Sequence, residues 1–259
     1  MERFLIFTIV LLASVVGLQG QGKEPTTTTV CTLADMKGDF STQPIGILTG
    51  GPFAGPFSAT GVIHFDGAGK FTGIATSSFF GHVIYPFHAD GVYTITPDCF
   101  FSLVEETLHI GFIGFLSTTK NEVQMLEPDA GSITTNTLKR QLNLVPCTDA
   151  KLSGNWVLNG SGLNVRNGDA LAEVQRLNFD GKGTLIGTFH KSVQGVLSKT
   201  SLAGTYTMLP DCTFQTREID AEGNVRHRYG VLFNNGEQMI YNYSEDGQVF
   251  NGQGRTSLN

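Results

Sequence analysis

One arrangement of residues is written twice in this chain. Phe65-Asp66-Gly67-Ala68-Gly69 is followed by Gly91-Val92-Tyr93 and then by Pro97-Asp98-Cys99. Phe179-Asp180-Gly181-Lys182-Gly183 is followed by Gly204-Thr205-Tyr206 and then by Pro210-Asp211-Cys212. The openings correspond as well, Cys31-Thr32 with Cys147-Thr148 and Gly38-Asp39-Phe40 with Gly154-Asn155-Trp156. Landmarks in the two copies keep a separation of 113 to 116 residues. A near-constant separation of this length implies one duplicated unit, not a many-copy solenoid. The expected division is residues 31–146 for the first unit and 147–259 for the second.

Each unit reads as strand after strand. Asp-Gly between extended, β-branched and aromatic runs favours a hairpin, because Gly tolerates positive φ. Asp66-Gly67 and Asp180-Gly181 both sit in that context, and the second Gly of each motif suggests a bulge or wider loop. The chain holds 32 glycines and 19 phenylalanines in 259 residues, a bias suited to many strands joined by tight turns. No long amphipathic helix is evident. Residues 191–199 could turn helically, though Gly195 argues against it. The glycine-rich run at residues 46–61, with Pro52, Phe53, Pro56 and Phe57, reads as a loop with an apolar tip. Seven or eight strands per unit are about enough to close a small antiparallel barrel and protect its edges. The expected fold is therefore all-β, with two tandem small antiparallel β-barrels from an internal duplication. The rival is one large sandwich or barrel sharing strands between the copies.

Four cysteines allow three pairings. Cys31 precedes Cys99 by 68 residues and Cys147 precedes Cys212 by 65. If each unit folds by itself, the bonds are Cys31–Cys99 and Cys147–Cys212. No second cysteine stands at zinc-knuckle spacing, so no metal centre is expected.

Residues 4–18 are almost continuously apolar. That length is short for a membrane crossing and right for the core of a secretory signal, here assigned to residues 1–20. A polar, Thr-rich leader follows at residues 21–30. The expectation is a secreted product, extracellular or periplasmic, with no stable membrane insertion after signal cleavage. An exported setting also sustains disulfides. The net charge of −6 supplies no basic surface for phosphates, so no nucleic-acid partner is expected.

No Gly-x-Ser-x-Gly elbow, phosphate loop or His-Glu-x-x-His motif is present. Candidate residues come instead from the repeat. Tyr93 and Tyr206 hold matching places and could donate into a pocket, or pack the barrel. Asp66, Asp180, Asp98 and Asp211 read more simply as turn residues. Period-two alternation puts Cys99, Phe101, Leu103 and Glu105 on one face, and Cys212, Phe214, Thr216 and Glu218 on one face. A face carrying a disulfide and phenylalanine is an interior face, so Glu105 and Glu218 would each point a carboxylate inward. They are the candidate catalytic residues; the alternative is an exposed strand end. His82 and His88, near Tyr85, are candidate pocket-lining residues.

On the repeated Phe-Asp-Gly-x-Gly and Gly-x-Tyr…Pro-Asp-Cys landmarks, the chain resembles exported microbial β-barrel proteins of poorly characterised function. At the level of fold it is distantly similar to the lipocalin and allene oxide cyclase/dirigent-type barrels. That resemblance implies a central apolar cavity that binds a small hydrophobic molecule or steers its cyclisation. It carries over no catalytic residue and no cofactor. Three roles are thus open: a binder, a cofactor-independent isomerase or cyclase acting through Glu105 or Glu218, and a cell-surface structural or interaction module.

Overall fold

A computed structural model of the protein describes residues 30–49, 54–107, 109–128, 131–142, 146–243, 245 and 247–257. The expected signal segment, and the leader up to residue 29, lie outside these residues, as do residues 50–53 of the glycine-rich run.

The chain forms two tandem antiparallel β-barrels. The first contains β1 (Gly38–Thr42), β2 (Ile45–Leu48), β3 (Gly55–Phe65), β4 (Lys70–Phe79) and β5 (His82–Ile95). It continues through β6 (Phe100–Glu105), β7 (Ile110–Leu116), β8 (Glu122–Leu126) and β9 (Ser132–Arg140). β1 and β2 both pair with β3 on one side and β9 on the other, so they are two halves of one interrupted stave. The second barrel runs β10 (Gly154–Asn164), β11 (Asp169–Phe179), β12 (Thr184–Val193) and β13 (Val196–Met208). β14 (Thr213–Asp220), β15 (Val225–Phe233), β16 (Gln238–Tyr243) and β17 (Gln248–Thr256) complete it, and β17 closes on β10. Among the described residues no helix is long and apolar enough to cross a membrane.

The repeated motif builds the same hairpin in each barrel. The Asp66 carboxylate accepts from the backbone N–H groups of Ala68 at 2.7 Å and Lys70 at 3.0 Å. Asp180 accepts from Lys182 and Thr184 in the same way, at 2.7 and 2.9 Å. Gly67 and Gly69 have φ of 79° and 109°, where a Cβ would be strained. These bonds favour the ionised Asp180, with the Thr184 hydroxyl the strongest contributor, and hold its pKa down to about 2.

Two local expectations need correction. Residues 191–199 form no helical turn; they are the ends of β12 and β13 around a two-residue hairpin loop at Gln194-Gly195, with φ of 49° and 81°. Both positive angles match the twist that hairpins prefer. The glycine-rich run is not loop throughout, because β2 and β3 pair Gly46 with Phe57. Gly46 permits that packing, since a Cβ there would stand 2.2 Å from the Ile133 carbonyl oxygen.

One end of each barrel is sealed alike. A short 3₁₀ turn, Leu33–Met36 or Asp149–Leu152, crosses the base beside a disulfide. The bonds are Cys31–Cys99 and Cys147–Cys212, each with a Cα–Cα distance of 5.0 Å. Above the first, Phe65 meets Phe40 edge-on at 5.4 Å and Tyr93 at 4.9 Å. Above the second, Phe179 meets Tyr206 at 5.1 Å and Trp156 at 6.5 Å.

The barrels pack side by side. The outer faces of β15 and β16 present Tyr229, Val231, Phe233 and Ile240 to Val62 of β3. Gln43, at the break between β1 and β2, donates from Nε2 to the carbonyls of Gly252 at 2.9 Å and Tyr241 at 3.3 Å. Asn242 donates to the Thr76 carbonyl at 3.0 Å, and the Ser78 hydroxyl to the Gln248 carbonyl at 2.8 Å.

Candidate functional site

Cys99, just before β6, and Phe101, Leu103 and Glu105 within it are all buried, as are Cys212, just before β14, and Phe214, Thr216 and Glu218 within it. Both glutamates therefore face a barrel interior. What surrounds them differs.

Glu105 lines a cavity of about 90 Å³ in the first barrel. Its walls are apolar, with Phe57, Phe71, Phe79, Phe87 and Phe112 the aromatic members. Space is left by small side chains at Gly73, Ala75 and Ala89. The polar exceptions include Glu105, Glu127, Thr42 and Asn136. Thr42 and the Gln43 N–H both donate to Asn136 Oδ1, at 3.0 and 3.2 Å, which turns the amide nitrogen the other way. The Glu105 carboxylate accepts from the Thr107 N–H at 3.0 Å. Among the described residues that line it there is no lysine, arginine or histidine.

Glu218 sits instead in a dense polar network. Arg228 Nη2 donates to Glu218 Oε2 at 3.2 Å and Gln175 Oε1 at 2.7 Å. Arg226 Nη1 donates to Glu173 Oε2 and the Tyr243 hydroxyl, both at 3.1 Å. Thr216 donates to Glu218 Oε1 at 2.8 Å, and Tyr243 donates to Glu173. The Arg228 guanidinium stacks 4.4 Å from the Tyr241 ring centre, and that of Arg226 lies 4.0 Å from Phe189. Burial opposes the charge on Arg228, but Glu218, Tyr243, Tyr241 and Glu173 together outweigh it and hold the arginine pKa above its usual value. Burial also pushes the Tyr241 and Tyr243 phenols up. Two carboxylates and two guanidiniums balance in charge, as a buried ionic cluster requires.

Register makes the two interiors comparable position by position. Glu105 pairs with Ile110 across β6 and β7, and Glu218 pairs with Arg226 across β14 and β15. Leu116 N–H bonds the Cys99 carbonyl and Leu232 N–H the Cys212 carbonyl, each at 3.0 Å, which fixes the same alignment. Ile110 and Phe112 thus hold the places of Arg226 and Arg228, and Glu127 holds that of Tyr243. Ala59 and Gly61 stand where the second barrel has Glu173 and Gln175. The first barrel is open where the second is filled by long polar side chains.

No family model matches the chain, and no curated protein matches its sequence. Among solved structures it is similar to a protein of unknown function of the DUF3598 family from Nostoc punctiforme. That match is 11% identical, covers 88% of this chain and 99% of that one, and has a TM-score of 0.27. It is also similar to kievitone hydratase from Nectria haematococca, at 6% identity, 90% and 95% coverage and a TM-score of 0.27. Similarity at this level carries no argument about function.

The remaining candidates lie elsewhere. Tyr93 and Tyr206 are buried at the disulfide ends and donate to the carbonyls of Leu33 at 3.1 Å and Asp149 at 3.2 Å. Neither is brought to the cavity lining. His82 and His88 are exposed on β5. His88 borders a groove on the outer surface with His64, Asp39 and Asp211. Among the described residues no group of three His, Cys, Asp or Glu side chains is placed to hold a metal ion. Sequence reasoning missed Glu127, Glu173, Arg226 and Arg228. The last two alternate in Arg226-His227-Arg228-Tyr229, a signal visible only once the barrel interior is known to be their side.

Proposed function

We propose that the protein is an exported binder whose first barrel takes a small, mainly apolar molecule into its interior. The observation that carries this reading is the phenylalanine-lined cavity, in a place where the duplicated partner carries Glu173, Gln175, Arg226 and Arg228. The two disulfides support an oxidising, extracytoplasmic setting. The volume sets a narrow size class. An apolar cavity of about 150 Å³ accommodates benzene, so about 90 Å³ suits a short or branched alkyl group. The second barrel serves as the rigid partner against which the first is built.

Glu105 and Glu127 share the cavity, and this supports a second reading as a cofactor-independent isomerase or cyclase moving a proton on the guest. Glu218 is tied into its ionic cluster and takes no part in it. Native mass spectrometry of freshly exported protein tests the binding role: a small guest should be retained, and Ala75→Leu, which fills the cavity, should lose it. Failure to detect a guest, together with failure of small apolar probes to perturb the barrel-one resonances, would refute it. Turnover that vanishes in Glu105→Gln while affinity persists would favour the enzyme.

A further inference from the structure

Asn136 lies on β9, lines the cavity of the first barrel and is 5% exposed. Its amide has only one way round. The Gln43 backbone N–H beside it, at 3.2 Å, can only donate, so the amide oxygen must face that side. The Thr42 hydroxyl donates to the same oxygen at 3.0 Å, and both acceptor positions are then filled. Capping the N–H at the break between β1 and β2 accounts for the oxygen. It does not account for the nitrogen. Among the described residues Asn136 Nδ2 donates to no acceptor, and a buried donor left unpaired is costly.

The duplicated half supplies an independent contrast. Phe40 pairs with Arg140 and Thr42 with Leu138, as Trp156 pairs with Thr256 and Leu158 with Gly254. Asn136 therefore holds the place of Gly252, and Met125 that of Tyr241. In the second barrel the Tyr241 ring fills this spot, and a Cβ on Gly252 would stand 2.3 Å from it. The first barrel has an amide there, with the cavity beside it. Such an amide offers donors and no acceptor. A guest hydroxyl would bring a hydrogen that Asn136 cannot accept, whereas a carbonyl oxygen brings lone pairs alone. An anionic acceptor would meet two further acidic side chains, Glu105 and Glu127, in the same cavity. Resting on the binding role proposed for this barrel, we infer that its guest is a small neutral alkyl carbonyl compound. Its oxygen accepts from Asn136 Nδ2, and its alkyl arms lie against the phenylalanine rings.

The test compares acetone with isobutene, two probes of nearly the same shape that differ by an oxygen in place of a methylene, by NMR titration of the full-length exported protein. Acetone should move the side-chain amide protons of Asn136 downfield, and isobutene should not. The affinity ratio of ketone to alkene should fall by about three- to tenfold in Asn136→Asp, which keeps an oxygen for Gln43 and loses the nitrogen. Asn136→Leu should lower the ratio alike without adding a charge. If neither variant folds, the wild-type amide protons decide the matter. Amide protons that acetone leaves unmoved, or a ratio unchanged in both variants, overturn the carbonyl assignment and leave the cavity reading intact. If neither probe nor xenon perturbs barrel-one resonances, the cavity reading falls with it.

Discussion

Two barrels descended from one unit have solved the same internal problem in opposite ways. At equivalent positions the second carries Glu218 with Arg226 and Arg228, and the first carries Glu105 with Ile110 and Phe112. One interior is a charge-balanced plug, the other an apolar hollow with carboxylates on its wall. Duplication lets one copy keep the fold rigid while the other gives up packing to leave space. The lesson is that an inward glutamate by itself does not mark a site; the residues across the strand decide what surrounds it.

The sharpest way to break this comparison is to make the second interior resemble the first. Arg228→Met leaves Glu218 buried without its closest cation and should cost about 3–5 kcal/mol. Urea unfolding followed by the fluorescence of Trp156, the only tryptophan and wholly buried in this barrel, measures it. A loss well below 1 kcal/mol would mean that Glu218 is not held ionised by that arginine. Restoring neutrality with Glu218→Gln in the same chain should recover part of the loss.

The bridges offer an even-handed test, because they close loops of 68 and 65 residues with the same Cα separation. Replacing either pair by alanines should cost about 2–4 kcal/mol, with the two losses alike. Markedly unequal losses in chemical unfolding would show that the sealed ends are less equivalent than their geometry.

A smaller effect belongs to the second barrel. Glu245 bonds the His227 N–H, and burial pushes its pKa up to about 7. The folded state thus holds this proton more tightly than the unfolded chain, whose value lies near 4.5. Stability should fall as pH rises from about 4.5 to about 7 and then level off, by about 1–3 kcal/mol. Glu245→Gln should flatten that part of the profile, measured by urea midpoints across the range. A slope unchanged in the variant would assign the titration to another group.

Much of the architecture was legible because it rests on repetition. Matching landmarks implied two units, and the 68- and 65-residue spacings paired the cysteines within them. Alternation from Cys99 and Cys212 pointed Glu105 and Glu218 inward. The same rule misleads in β15, where Tyr229, Val231 and Phe233 form the apolar face yet lie outside the barrel, covered by its neighbour. The arginines on the opposite face consequently look like surface residues. Nor could the hollow be foreseen, since it depends on which residues meet across strands, Ala59 and Gly61 in one copy against Glu173 and Gln175 in the other.

The contact between the halves has a practical corollary for anyone dissecting them. Severed at the linker, the C-terminal half would expose Tyr229, Val231, Phe233 and Ile240 as a greasy flank, an invitation to aggregate. The N-terminal half would lose the carbonyl acceptors that tether Gln43 at its broken stave. Separation would thus uncover apolar surface on one half and strip acceptors from a polar side chain on the other.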